Sequence, residues 1–339
     1  MSHPSLEAIR RLPKVELHLH LETSLRLRRL AERHGDVDPV EPHLVADPAK
    51  FSGYDRLRRL RYASRAGKIS SDLYSAENIE QITYELLEEA SSQHLRYVEV
   101  RVGGRRGFSL LGAERMLEAM ARARMRAEDE FGIASGFIIT IVRERGPEEA
   151  EQRVREAIAC RPCGVVAVDL AGDESNYPPA LFTRALGLAR EAGLGITVHA
   201  GEFAGPSSIW TSIYQLGAHR LGHGIRAVED PELLAYLREH EVTLEICPSS
   251  NMRLGLVNSL GGHPLKKLMA AGVPVTINSD DPLLLGTDLS RELHLVAETF
   301  QLRMNQIAEL LHNAARAAFV PDDVRDRLQQ GLATGRARA

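Results

Sequence analysis

Eight short runs rich in Val, Ile and Leu alternate along this chain with longer stretches of helical periodicity, and that alternation constrains the fold more than any other feature. The runs cover residues 15–22, 96–102, 134–142, 164–172, 195–202, 219–225, 242–250 and 273–281. They are nearly continuous in apolar character, the mark of strands buried on both faces of a parallel sheet. The helical stretches between them include 76–93, 113–131, 147–159, 179–192, 231–240 and 264–271. Several open on proline or an acidic first turn, and two close on Gly193 and Gly272, which are start and stop signals of helices. Eight such units in about 260 residues match the (β/α)8 TIM-type barrel, a fold of about 250 residues. A doubly wound open sheet is the competing arrangement, but no strand runs into GxGxxG and no GxxxxGK[ST] occurs.

The stretches 289–299, 305–318 and 322–330 follow the last strand and are expected as extra helices outside the barrel, with a frayed tail after them. At 339 residues and 44% hydrophobic content the chain can bury a large core. It reads as one barrel domain over 1–339, with an inserted helical or loop segment at about 36–71 that could act as a lid. The net charge of -4 and pI near 6.4 give no general attraction to nucleic acid or an anionic membrane, so a small molecule is the expected partner, with the oligomeric state open. The start has no secretion-signal core, and no stretch approaches the roughly 18–20 apolar residues of a membrane span. Three cysteines do not form a disulfide framework. Cys160 and Cys163 make a CxxC without a second pair and read as ordinary thiols, and Cys247 as a small buried residue. A cytoplasmic protein is expected.

If the strands are parallel and closed, their C-terminal ends share one rim, where barrel active sites are built. His18, His20, His199, Glu202, His223, Asp280 and Asp281 all lie at strand ends. His18 and His20 are two apart on one strand, so both point the same way and can serve as paired ligands of a divalent ion. A lone HxH could equally be two core histidines bonded to backbone. With His199 and Asp280 at the ends of the fifth and eighth strands, the set becomes three imidazoles and a carboxylate, which suits Zn²⁺. A catalytic zinc keeps a position open for water and lowers that water's pKa to about 7. His223, in LGHGI with Gly222 and Gly224 leaving room, is placed to orient or deprotonate the water. Glu202, in HAGE just after His199, is placed to give the substrate a proton. Asp280 and Asp281 are adjacent, so an extended strand cannot turn both to the metal. Asp280 is assigned to the metal and Asp281 to the substrate, with Pro282 biasing Asp281 toward an extended rim position. Asn278 and Ser279 fit either support of the site or strand-end packing.

The motifs PKVELHLHLE, DLAGDE, TVHAGE, RLGHGI, CPSSN and INSDDP, in this order, resemble the adenosine deaminase family of the amidohydrolase superfamily over residues 12–318. The resemblance implies one zinc per chain and attack of a zinc-bound hydroxide on C6 of a 6-aminopurine, giving the 6-oxopurine and ammonia. It implies that His18, His20, His199 and Asp280 hold the zinc, that Glu202 protonates ring N1, and that His223 is the base that orients the water. It further implies contacts from Asp281 to N7 and from the Gly172 backbone to N3. Protonating N1 relieves charge as C6 becomes tetrahedral, so the implied roles agree with the chemistry. The other zinc base-deaminase signature, HxE with PCxxC, is missing from the sequence.

Departures from the family pattern concern the substrate. Where classical members have Asp-Gly after the second metal histidine, with the Asp at a ribose hydroxyl, this chain has Glu22, Thr23 and Ser24. Glu22 is taken as a substrate-binding residue in a reshaped pocket. RVGGRRG (101–107) stands where the family has an Arg-Phe-Ser-Pro-like run, and YDRLRRLRYASRAGK (54–68) stands where the family gates its pocket. These arginines are expected on a solvated helix face. An inward Arg61, Arg65, Arg105 or Arg106 would instead signal an acidic group on the substrate. The expected substrate is adenosine or a 5'-modified adenine nucleoside such as 6-aminodeoxyfutalosine. Free adenine is the alternative. A non-catalytic purine-binding relative would require loss of a metal ligand or of Glu202, and all are present.

Overall fold

The structure, a computed structural model, describes residues 3–21, 25–33, 53–65, 71–103 and 105–336. Eight strands form one parallel sheet in sequence order: β1 (Lys14–His20), β2 (Leu95–Val102), β3 (Ala134–Val142), β4 (Val165–Ala171), β5 (Gly195–Ala200), β6 (Arg220–His223), β7 (Thr243–Ile246) and β8 (Val275–Ile277). The sheet closes on itself through the end of β8. His20 N donates to Asp280 O at 2.9 Å, Asp280 N to His18 O at 3.0 Å, and Leu17 N to Asn278 Oδ1 at 3.1 Å. The expected (β/α)8 barrel is therefore what the chain forms. The closing bonds also carry Asp280 directly beside the two histidines of β1.

Period-two patterning explains the barrel's interior. Along β2 the apolar Val98, Val100 and Val102 alternate with Glu99 and Arg101, and all are buried. Asp169 on β4, Thr197 on β5, Arg220 on β6 and Glu245 on β7 are likewise buried, so the inner layer is polar while the surrounding helices cover an aliphatic outer layer. The helix Met304–Ala317 packs over β8 and β1, where the sheet closes, and Asn313 Nδ2 donates to Val275 O at 3.0 Å. Among the described residues no helix is long and apolar enough to cross a membrane.

Three sequence expectations need correction. The run 242–250 was expected to be strand throughout, but β7 stops at Ile246 and Pro248–Arg253 is a helix. Pro248 has no N–H for a ladder and its fixed φ suits a first helical turn. Residues 278–281 are likewise not strand, because β8 ends at Ile277 and Asp280 turns left-handed at φ 58°. Of the tail expected to fray, residues 331–336 instead continue the helix Asp322–Arg336, and residues 337–339 lie outside the described residues. Of the inserted 36–71 segment, residues 36–52 and 66–70 lie outside the described residues. The helix Gly53–Arg65 is described, and it sits across the rim. Gly53 N donates to Leu254 O at 2.8 Å, Leu57 and Leu60 pack with Leu254, and Tyr54 meets Phe203 edge-on at 5.5 Å.

Candidate active site

The end of β1 presents His18 and His20 on the inner face, and the barrel brings His199 from β5 and Asp280 from the β8 turn to meet them. Ring nitrogens of His18, His20 and His199 all lie within 4.8 Å of one another. Asp280 Oδ1 is 3.6 Å from His18 Nε2 and 3.4 Å from His20 Nε2. Gly222 on β6 makes this crowding feasible, since a Cβ there would lie 3.1 Å from His18 Cε1 and 3.2 Å from His199 Cγ. The room expected around His223 is thus used at Gly222 by His18 and His199, while at Gly224 a Cβ would meet Leu244 Cδ2 at 2.7 Å.

Protonation of the cluster suits a cation. Burial, followed by the nearby Arg101 guanidinium, drives His18 well below the usual imidazole range. Burial and then His223 do the same to His199, so both rings are neutral with a lone pair to give. Their tautomers are fixed from behind. His18 Nδ1 faces Glu245 Oε2 at 2.9 Å and His199 Nδ1 faces Asp169 Oδ1 at 3.0 Å. Each carboxylate accepts the Nδ1 proton, which leaves Nε2 as the ligating atom, the usual support of a metal-bound imidazole. Burial opposes charge on Asp280, but His223, His20 and Ser250 outweigh it and hold the carboxyl below the usual range. Cys247 Sγ also reaches this cluster. Burial pushes that thiol far up and its S–H points to Glu245 O at 3.5 Å, so it remains a packed thiol. The imidazoles of His18 and His20 from β1 and of His199 from β5, with the Asp280 carboxylate from the turn after β8, make a donor set that fits a catalytic zinc.

Beside this set stand Glu202 and His223, both buried, with His223 Nε2 at 3.5 Å from Glu202 Oε1. His223 adopts φ 61°, a left-handed geometry that costs of order 1–3 kcal/mol for a residue with a side chain and clusters at active sites. Asp281 is buried directly after Asp280, but not in the extended geometry expected from Pro282. At φ -116° and ψ 66° it caps the short helix Pro282–Leu285. The left-handed turn at Asp280, rather than strand alternation, separates the two carboxylates. Gly172 follows β4 at φ 113°, and a Cβ there would collide with Glu144 Oε2 at 2.1 Å. The Glu144 carboxyl accepts from Asp173 N at 3.3 Å and from the Tyr54 hydroxyl, tying the rim helix to this wall. Ser279 N donates to Glu16 Oε1 at 2.7 Å, a strand-end contact, whereas Asn278 Oδ1 accepts from Leu17 N at 3.1 Å in the closure beside His18. Glu22 and the side chains of Arg61, Arg65, Arg105 and Arg106 lie outside the described residues.

Several residues that matter here were not singled out in the sequence. Glu245 accepts from Arg101 Nη2 at 2.5 Å, Arg220 Nε at 2.7 Å and Thr197 Oγ1 at 3.2 Å as well as from His18. Arg101 Nε also reaches Asp169 Oδ2 at 3.2 Å. The fully buried Arg143 donates to His199 O and to Tyr177 O, each at 2.8 Å, and burial lowers its pKa only to about 10, so it stays charged. Glu174, in DLAGDE, gathers the backbone N–H groups of Gly201, Glu202, Phe203 and Ala204 at 2.7, 3.1, 2.7 and 3.0 Å. It thereby holds the turn that carries Glu202. Glu174→Gln should keep metal but lower stability by about 1–3 kcal/mol, because an amide cannot accept all four donors. Turnover should fall with it, as read by thermal unfolding and steady-state rates.

A closed parallel barrel with a buried imidazole–carboxylate centre at its C-terminal rim defines a metal-dependent hydrolase. The pattern described as "Adenosine deaminase" matches residues 13–334. The aminodeoxyfutalosine deaminase of Streptomyces avermitilis is 37% identical over 319 residues, covering 91% of this chain and 87% of that protein. An adenine deaminase from Arthrobacter aurescens superposes with a TM-score of 0.85 at 28% identity, covering 97% of this chain and 100% of that one. An amidohydrolase from Burkholderia ambifaria with bound Zn superposes with a TM-score of 0.84 at 27% identity, covering 97% and 92%. The chain belongs to the adenosine deaminase family, and it is a hydrolytic deaminase.

Proposed function

We propose that this protein is a deaminase that uses one zinc ion per chain to hydrolyse the 6-amino group of an adenine nucleoside. Its substrate is adenosine or a 5'-modified adenine nucleoside such as 6-aminodeoxyfutalosine, and its products are the 6-oxopurine and ammonia. The observation that carries this reading is the convergence of His18, His20, His199 and Asp280 beside the buried Glu202–His223 pair. When bound there, zinc would lower the pKa of a water toward 7 and so supply a nucleophile at neutral pH. Glu202, held by the Glu174 cradle, delivers a proton to purine N1. That draws charge away from the ring as C6 becomes tetrahedral. His223 holds the attacking water against the face of C6. Asp281 meets N7, the Gly172 N–H meets N3, and Glu22 reaches the sugar. The rim helix Gly53–Arg65 restricts solvent at the mouth. Three free thiols fit a cytoplasmic setting.

The modified nucleoside is favoured because a 37% identical relative is an aminodeoxyfutalosine deaminase. Free adenine stands as the second reading because an adenine deaminase shares the fold over 97% of this chain. Steady-state comparison of the three substrates separates them. The nucleosides should exceed adenine in kcat/KM by at least ~10-fold, about 1.4 kcal/mol of differential binding; the reverse ranking would transfer the assignment to the base.

A further inference from the structure

Behind His223 runs a chain of hydrogen bonds that ends on a group of fixed polarity. Leu265 N lies 3.0 Å from His263 Nδ1, His263 Nε2 lies 3.1 Å from Asn251 Oδ1, and Asn251 Nδ2 lies 3.1 Å from His223 Nδ1. His263 and Asn251 are both buried, at 3% and 0% exposure. A backbone N–H can only donate, so His263 Nδ1 must accept, and a neutral His263 then carries its proton on Nε2. That proton fixes the Asn251 amide with its oxygen toward His263 and its nitrogen toward His223. An amide nitrogen can only donate, so His223 Nδ1 must hold a lone pair. Burial lowers the His263 pKa to about 4, which keeps this ring neutral at working pH.

We infer that Asn251 and His263 are positioning residues that fix the tautomer of His223, so that it faces the reacting centre as an Nε2–H donor rather than as a base. This rests on the reading of His223 as the group that holds the attacking water. His223 then grips the oxygen by donating to it, and it cannot take the water's proton at Nε2 while that nitrogen carries its own. The geometry is compatible with this, because His223 Nε2 faces Glu202 Oε1 at 3.5 Å, a carboxyl oxygen that can accept from it.

The test has a spectroscopic and a kinetic arm, both on the zinc-loaded full chain. Long-range ¹H–¹⁵N spectra of ¹⁵N-histidine-labelled protein, with the His223 signals assigned by loss in His223→Gln, should show His223 protonated at Nε2 and bare at Nδ1. Asn251→Asp keeps the shape but can only accept, so it should draw the His223 proton to Nδ1. That should cut kcat at least ~100-fold with KM and zinc content little changed, since a wrong imidazole tautomer costs about 10⁴ in a serine protease. His263→Gln still offers a donor to Asn251 Oδ1 and should stay within ~10-fold of the parent, well inside the ~10²–10⁴ range of acid–base effects. A His223 protonated at Nδ1 in the parent, full turnover in Asn251→Asp, or a loss in His263→Gln equal to that in Asn251→Asp would overturn the inference. If Asn251→Asp does not fold, the parent spectrum decides alone. That spectrum reads the tautomer whatever the substrate, so failure of the deaminase assignment would appear separately, as zinc-loaded parent protein inactive on every purine.

Discussion

Glu202→Gln should leave zinc content and fold intact while removing ~10²–10⁴ of turnover, the range typical of a lost general acid. The glutamine has the same shape, and the four backbone bonds from residues 201–204 to Glu174 do not involve the Glu202 side chain. What disappears is a transferable proton beside the substrate ring. Zinc analysis and steady-state kinetics on the same preparation check it. Full activity in this variant would remove Glu202 from the role of acid.

His18→Ala should show the largest effect, with loss of stoichiometric zinc and turnover reduced to background. Two consequences combine. A ligand at the centre of the cluster is gone, and Glu245 keeps Arg101 and Arg220 but loses its partner on the metal side. Taking a neutral hydrogen-bond donor away from a buried carboxylate costs about 1–3 kcal/mol, so a lower melting temperature should accompany metal loss. Metal content after dialysis, read beside thermal unfolding, checks both. Retention of one tightly held zinc per chain would show that His18 is not a ligand.

The clustered histidines and the residues that support them differ in how far a sequence reveals them. His18 and His20 are legible because a strand repeats every two residues, and the pair occupies the inner face of β1 as that period requires. The eight strands are legible for a different reason, as near-continuous apolar runs between helical stretches, and β3 begins and ends where that pattern places it. The ends of β7 and β8 fall short of the apolar runs because periodicity says nothing about where a chain turns, and the left-handed residue Asp280 pairs with Leu19 of β1 where the barrel closes. Glu245, Asp169, Arg101 and Arg220 stand at alternate positions in apolar runs, which taken singly suggests a solvent-facing side of a sheet. Only closure of the barrel turns that side inward and pairs residues from separate strands. Glu174 and Asn251 lay within quoted motifs, but nothing local tells that one folds beneath residues 201–204 or that the other connects two histidines.

The most direct test of a zinc-dependent nucleoside deaminase is ammonia release from adenosine and 6-aminodeoxyfutalosine by protein stripped of metal and then titrated with zinc. Turnover should be absent from the stripped protein and rise to a plateau at one zinc per chain. Turnover indifferent to chelation, or none on either nucleoside once one zinc is bound, would contradict it.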